Sequence, residues 1–111
     1  MSKPSQGELL QGTLPLLILR TLATGPNHGF AIARRIQQIS KSVLRIEQGS
    51  LYPALHRMEL SGVIEPYWGT TENNRKAKYY RLTRRGTRAL ASETERWHSI
   101  AEAIAAVLLE G

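Results

Sequence analysis

A mainly α fold with one small β-hairpin, closed by a single long helix, follows from three observations. Apolar residues recur at helical spacing in three short segments ahead of Gly62. Two runs rich in strand formers, Val63–Trp68 and Ala77–Leu82, flank a polar, turn-rich stretch, Gly69–Asn74. After Thr83 a heptad of Leu90, Trp97 and Ile104 continues with no later segment to cover it, which argues for helix pairing. At 111 residues and 41% hydrophobic, the chain has the size of one folded unit and is too apolar for disorder.

The elements follow in order behind a short polar leader, Met1–Gly7. A first helix is expected from about Thr13 to Thr24, with Thr13 at the N-cap and Pro15 in the first turn, where its missing N–H costs nothing. Leu14, Leu17, Ile18 and Leu22 form one stripe, and Leu16 and Leu19 a second face that would meet another subunit. Gly25–Pro26 ends this helix. Asn27 is the expected cap of a second helix, His28–Ile39, buried through Ile32, Ile36 and Ile39. Val43, Leu44 and Ile46 suggest a brief extended segment. A third helix, about Ser50–Ser61, buries Leu51, Leu55 and Met58, has Pro53 in its first turn and stops at Gly62. In the hairpin Tyr80 and Leu82 share the core face with Ile64, and Tyr79 and Arg81 point away. Thr83 caps the last helix, whose stripe is widened by Ile100, Ala101, Val107 and Leu108.

Charge placement narrows the function. The net charge is +6, and seven of the 15 basic residues fall in one stretch: Arg75, Lys76, Lys78, Arg81, Arg84, Arg85 and Arg88. No acid interrupts it, whereas the tail carries Glu93, Glu95, Glu102 and Glu110 against Arg96. Basic charge gathered in one zone suggests a polyanionic partner. Cysteine and aspartate are both absent. Thiol catalysis, disulfides and the usual zinc-finger ligand sets are thereby excluded. His28, His56 and His98 are scattered without a nucleophile or ligand set, so neither an enzyme nor a metal or other cofactor is expected. No signal peptide is read at Met1–Gln11, and the apolar run Leu14–Leu19 is too short for a membrane span. The expected location is cytoplasmic.

The second and third helices, with a short connection, suit a helix-turn-helix whose second member enters a DNA major groove. Its N-terminal face offers Ser50, Tyr52, Pro53, His56 and Arg57, with no carboxylate before Glu59 to repel phosphates. The hairpin adds Arg75, Lys76 and Lys78 as a wing that follows the backbone or enters a minor groove. Two of these carry alternatives. Tyr52 either meets DNA or packs over a helix N-terminus; Arg57 either meets DNA or pairs with Glu59 or Ser61. Trp68 is expected to cover the sheet.

The sequence GSLYPALHRME at 49–59, followed by Gly62, Val63 and Ile64, resembles the recognition-helix signature of the PadR family of regulators. KYYRLTRRG at 78–86 resembles that family's wing strand and the turn into its last helix. Gly12-Thr-Leu, GPNHG at 25–29 and ARRI at 33–36 also match, so the resemblance spans the chain in order. It implies a winged helix-turn-helix over residues 1–82 and a dimerisation helix over 83–111, the short branch of the family. It further implies a homodimeric repressor of transcription that binds double-stranded DNA through Ser50, Tyr52, Pro53 and Arg57 and through wing residues Arg75, Lys76 and Lys78, to which the exposed face of the third helix adds His56. The expected dimer interface comprises Leu16, Leu19, Leu90, Trp97, Ile100, Ile104 and Leu108. Trp97 is either core in that interface or a stacking surface for a small aromatic effector. One departure is Asn73-Asn74, where the family often has Gly and Arg; either Asn tolerates positive φ. The alternatives are an RNA- or ribosome-associated winged-helix protein, which would want more stacking aromatics, and a protein-interaction module, against which the basic wing argues.

Overall fold

The computed structural model describes residues 12–111; the expected leader and the segment read for a signal lie outside the described residues. The order is α1 (Leu14–Leu22), β1 (Asn27–His28), α2 (Gly29–Ile39), α3 (Gln48–Leu60), β2 (Ile64–Thr70), β3 (Lys76–Leu82) and α4 (Arg84–Glu110). The strands form one antiparallel sheet in the order β1-β3-β2. A mainly α winged helix-turn-helix fold with a hairpin and a long last helix is what the sequence implied, and it is what the chain adopts.

One core holds the first three helices and the base of the hairpin together. Ile18, Ile32, Leu51, Leu55 and Ile64 are its most deeply buried side chains, one or two from each of these elements. Tyr80 joins them from β3, and Leu82, Ala89 and Leu90 pack against the rim. Burial raises the Tyr80 hydroxyl above its ordinary value of 10.0, against the opposing pull of the Lys78 ammonium.

Local chemistry sets most element ends. Thr13 stands at the N-cap of α1, where its carbonyl, not a hydroxyl cap, receives the Leu17 N–H at 3.1 Å. The α3 terminus is a Schellman arrangement: Val63 N–H donates to the Met58 carbonyl and Gly62 N–H to Glu59, with Gly62 at φ 79°. The end of α2 repeats it with a residue that tolerates it less well. Ser42 N–H donates to Gln37 and Lys41 N–H to Gln38, with Lys41 itself left-handed at φ 51°. At α4 the Thr83 hydroxyl oxygen accepts from Gly86 N–H at 3.0 Å, as its position at the helix start implied.

Several local expectations are corrected. Asn27 does not cap α2; with His28 it forms a two-residue strand on Tyr80 and Tyr79, and the His28 ring Nδ1 accepts from Ala31 N–H instead. Ile39 is 63% exposed, because the reversal at Lys41–Ser42 brings Leu44 and Ile46 onto the core in its place. No strand forms around Val43. The helix α3 starts two residues early, so Pro53 lies past its first turn, inside the helix. Leu19 is only 3% exposed. The chain's own core already covers it, so of the outer-face pair only half-buried Leu16 remains for a partner.

Gly86 is where α4 presses on the start of the wing. A Cβ there would fall 1.9 Å from the Val63 carbonyl oxygen, a backbone atom that cannot step aside alone. Gly86→Ala should therefore lower stability by about 1–3 kcal/mol or more, the scale of overpacking. Urea unfolding is the measurement, and an unchanged midpoint would contradict this close approach.

Candidate nucleic-acid interface

The outward surface of α3 is what its core residues leave behind. Leu51, Ala54, Leu55 and Met58 face inward, so Tyr52, Pro53, His56 and Arg57 are exposed and Ser50 is half-buried. The expected recognition residues thus share the solvent side of one helix. Tyr52 keeps both of its readings: its ring rests against the start of α2, where a Cβ on Gly29 would stand 3.0 Å from its Cε1, while 46% of the residue is exposed. Arg57 makes neither expected pairing; Glu59 goes to Lys78, and the Ser61 carbonyl accepts from Arg85 Nη1 at 3.2 Å.

The wing has two unlike faces. On one, Tyr67 stacks on Tyr79 with centroids 5.5 Å apart. The Arg81 guanidinium lies 5.1 Å from the Tyr67 ring and bonds Glu65 at 2.8 Å. The other face continues outward from Ile64 and Tyr80 to Lys78, Trp68 and Lys76. Trp68 does not cover the sheet: it is 66% exposed, with the Lys76 ammonium 5.6 Å from its ring. The tip closes from Thr71 to Arg75, with Thr71 N–H donating to the Arg75 carbonyl at 2.8 Å. Asn74 takes the left-handed turn position at φ 59°, so the departure at Asn73-Asn74 leaves the turn intact.

The seven clustered cations divide by partner. Lys78 is held by Glu59 at 3.2 Å, Arg81 by Glu65, and Arg85 by the end of α3. Arg75, Lys76, Arg84 and Arg88 are exposed and pair with no carboxylate among the described residues. Arg84, Arg85 and Arg88 stand at the N-terminus of α4, whose first turn holds no acid. Cations there oppose the helix dipole. Their charge therefore does not stabilise that helix end, and Arg85 serves the end of α3 instead, through the Ser61 carbonyl.

Between the wing and the two helices lies an open groove of about 1000 Å³, lined by Phe30 and Arg34 of α2, Tyr52 and His56 of α3, and Trp68 and Lys76 of the wing, among others. Sequence reasoning singled out neither Phe30 nor Arg34. The signal was faint, because both sit on the polar side of an otherwise ordinary amphipathic helix. Among the described residues no group of three or more His, Cys or Glu could hold a metal ion, and no helix is long and apolar enough to cross a membrane.

Since Glu59 occupies Lys78, the two inner-face lysines should behave differently. Lys76→Ala should flatten the salt dependence of duplex binding by about 0.9 per lost phosphate contact, while Lys78→Ala should leave it nearly unchanged. Titrations at several salt concentrations measure both, and equal flattening by the two would mean that Lys78 leaves Glu59 for the phosphate.

A family model described as the transcriptional regulator PadR-like family matches residues 18–92. The chain is similar to a transcriptional regulator of Mycobacterium tuberculosis, 29% identical over 97 residues and 87% of each chain. Among solved structures it resembles a PadR family transcriptional regulator from Eggerthella lenta at 31% identity, TM-score 0.74, covering 91% of this chain and 86% of that one. It also resembles a transcriptional regulator from Clostridium thermocellum at 28% identity, TM-score 0.79, covering 87% and 94%.

Proposed function

The chain belongs to the PadR-like family of transcriptional regulators, a DNA-binding class, and from that premise we propose that it is a homodimeric repressor that reads a duplex operator with α3 and holds phosphates with the wing. The observation that carries the reading is the shared exposed side of α3, where Tyr52, Pro53, His56 and Arg57 stand beside a cationic wing and the nearby Glu59 is neutralised by Lys78. Arg57 suits a guanine edge, and the rings of Tyr52 and Pro53 suit a thymine methyl. Ser50, at the buried margin, suits a phosphate. Arg75 and Lys76 act on phosphates and position the protein without reading bases. No catalytic step and no resident cofactor belong to this reading, and its setting is the cytoplasm.

Dimerisation is supported by α4. Its residues Trp97, Ile100, Ile104 and Leu108 are all exposed in the single chain, at 42% to 76%, and they recur at the three- and four-residue spacing of a coiled-coil seam. An exposed apolar stripe of this kind is covered by a partner in solution. Leu90 packs on the core at the base of the helix and Leu16 lies on α1, which packs against α4; both extend the seam towards the body. In this division residues up to Leu82 bind DNA and α4 pairs the two copies. Trp97, central in the seam with its ring partly open, is also where a small aromatic effector would stack and alter the distance between the two reading heads.

Two experiments test the reading. Trp97→Ala should leave a void and weaken association on the scale of about 3–5 kcal/mol; sedimentation equilibrium reads it, and a wild-type monomer at tens of micromolar (about the range of a weak dimer) would overturn the homodimer. Replacing Tyr52 or Arg57 with Ala should cost a cognate site about 1–3 kcal/mol more than scrambled duplex, whereas Lys76→Ala should weaken both alike. If all three variants lower both affinities by one factor, base reading by α3 is wrong.

A further inference from the structure

One face of the wing holds a chain of contacts that the DNA-binding reading leaves unused. Residues paired across the two strands share a face, so Tyr67, Gly69, Ala77 and Tyr79 lie on one side of the hairpin and Thr70 and Lys76 on the other. On its side Tyr79 leans towards the tip. A Cβ on Gly69 would fall 2.7 Å from Cδ1 and Cε1 of the Tyr79 ring. Gly69, unlike Gly25 and Gly62, does not sit at positive φ, so conformation alone does not require glycine there. A strand glycine weakens its strand and marks a close approach by another group. Here that group is the ring of Tyr79, which stands where a side chain of residue 69 would be.

Three more contacts fix that ring. Its hydroxyl donates to the Thr70 carbonyl at 3.0 Å, Tyr67 stacks on it, and the His28 ring meets it edge-on with centroids 5.3 Å apart. His28 is the β1 partner of Tyr79 and caps α2 through its Nδ1. Thr70 is the register partner of Lys76, in the last pair before the turn. A line of contacts therefore runs from the start of α2 through His28 and Tyr79 to the strand ends that carry Lys76 and Arg75. On the opposite face Lys78 bonds Glu59 of α3. The wing is thus braced from both faces, by an ion pair to one helix and by an aromatic ring to the other. A two-stranded hairpin is marginal by itself, and its tip takes a fixed position only from such braces.

We propose that Tyr79 is a positioning residue for DNA binding: seated on Gly69 and bonded to Thr70, it fixes where the wing tip presents Lys76 and Arg75, without itself meeting the duplex. The proposal rests on the DNA-binding reading above and deepens it. It also has a signature that a purely structural role lacks. A phenol neutralises no phosphate, so its removal changes the salt dependence of binding only by displacing a cation that does.

Binding of a mixed-sequence DNA duplex by the full chain is measured against salt for the wild type, Tyr79→Leu, Gly69→Ala and Lys76→Ala, and for Lys76→Ala combined with each of the other two, all below their unfolding transitions. Tyr79→Leu should reduce the slope of log K against log salt by about 0.9 or more per protomer, about 1.8 for a symmetric dimer. Adding Lys76→Ala should then reduce it no further. Gly69→Ala, which drives the ring off its seat, should act like Tyr79→Leu. In the free protein the Thr71 and Asn74 amides, whose bonds close the tip, should exchange faster with solvent in Tyr79→Leu. A wild-type slope in Tyr79→Leu, even with weaker binding at every salt, overturns the proposal, and so does the full Lys76→Ala effect on top of it. Should Tyr79→Leu fail to fold, Tyr79→Phe removes only the bond to Thr70; a reduced slope there supports the proposal and a wild-type slope overturns it. If the wild type does not bind the duplex at any salt, the DNA reading falls and takes the phosphate role of Lys76 with it. Unchanged exchange at Thr71 and Asn74 beside normal DNA binding overturns the brace alone.

Discussion

Recognition helix, wing and long helix are fastened to one another at a single junction. The Thr83 hydroxyl donates to the Gly62 carbonyl at 2.6 Å and accepts from Gly86 N–H, while Thr83 N–H donates to Val63. One side chain thus caps α4 and ties it to the residues that end α3 and begin β2. Gly86 allows the approach, and Arg85 adds a bond to the last turn of α3. Backbone bonds that are short and partly shielded from water hold their geometry well. The angle between α3 and α4 is therefore set by local bonds. In the proposed homodimer, a change in how two copies pair through α4 would reach α3 through this junction.

The charge distribution follows a similar logic of use. Of the basic stretch, Lys78, Arg81 and Arg85 serve the fold, joining wing to helix, strand to strand and helix to helix. The remainder stay in solvent at the wing and at the wrong end of a helix dipole. Exposed ion pairs contribute little to stability, so Glu65 with Arg81 is better regarded as aligning the β2–β3 register. Lys78 with Glu59 is more shielded and spans two elements.

A modest core accounts for the rest. Among the described residues twelve apolar ones are buried, drawn from α1, α2, α3 and the base of the hairpin, and almost none from α4 beyond its first two turns. Small cores of this kind leave stability to be supplemented from outside. In the proposed homodimer the exposed stripe on α4 would supply it through association.

Read by itself, the sequence determined the order of elements, the wing, the stop at Gly62, the cap at Thr83 and the solvent side of α3. Each of these depends on neighbours within a few residues, through helical or alternating periodicity, side-chain capping and left-handed φ. The family resemblance at 49–59 and 78–86 carried the rest of the functional reading. Tertiary structure alone decided that Asn27–His28 pairs with β3, that Ile39 yields its place to Leu44 and Ile46, and that Leu19 is spent on the core. It alone bound Lys78 to Glu59, 19 residues away, and brought Arg34 and Lys76 to the lining of one groove. Those outcomes are contacts between segments distant in the chain, and periodicity within one segment holds no information about which surface another segment will bring against it.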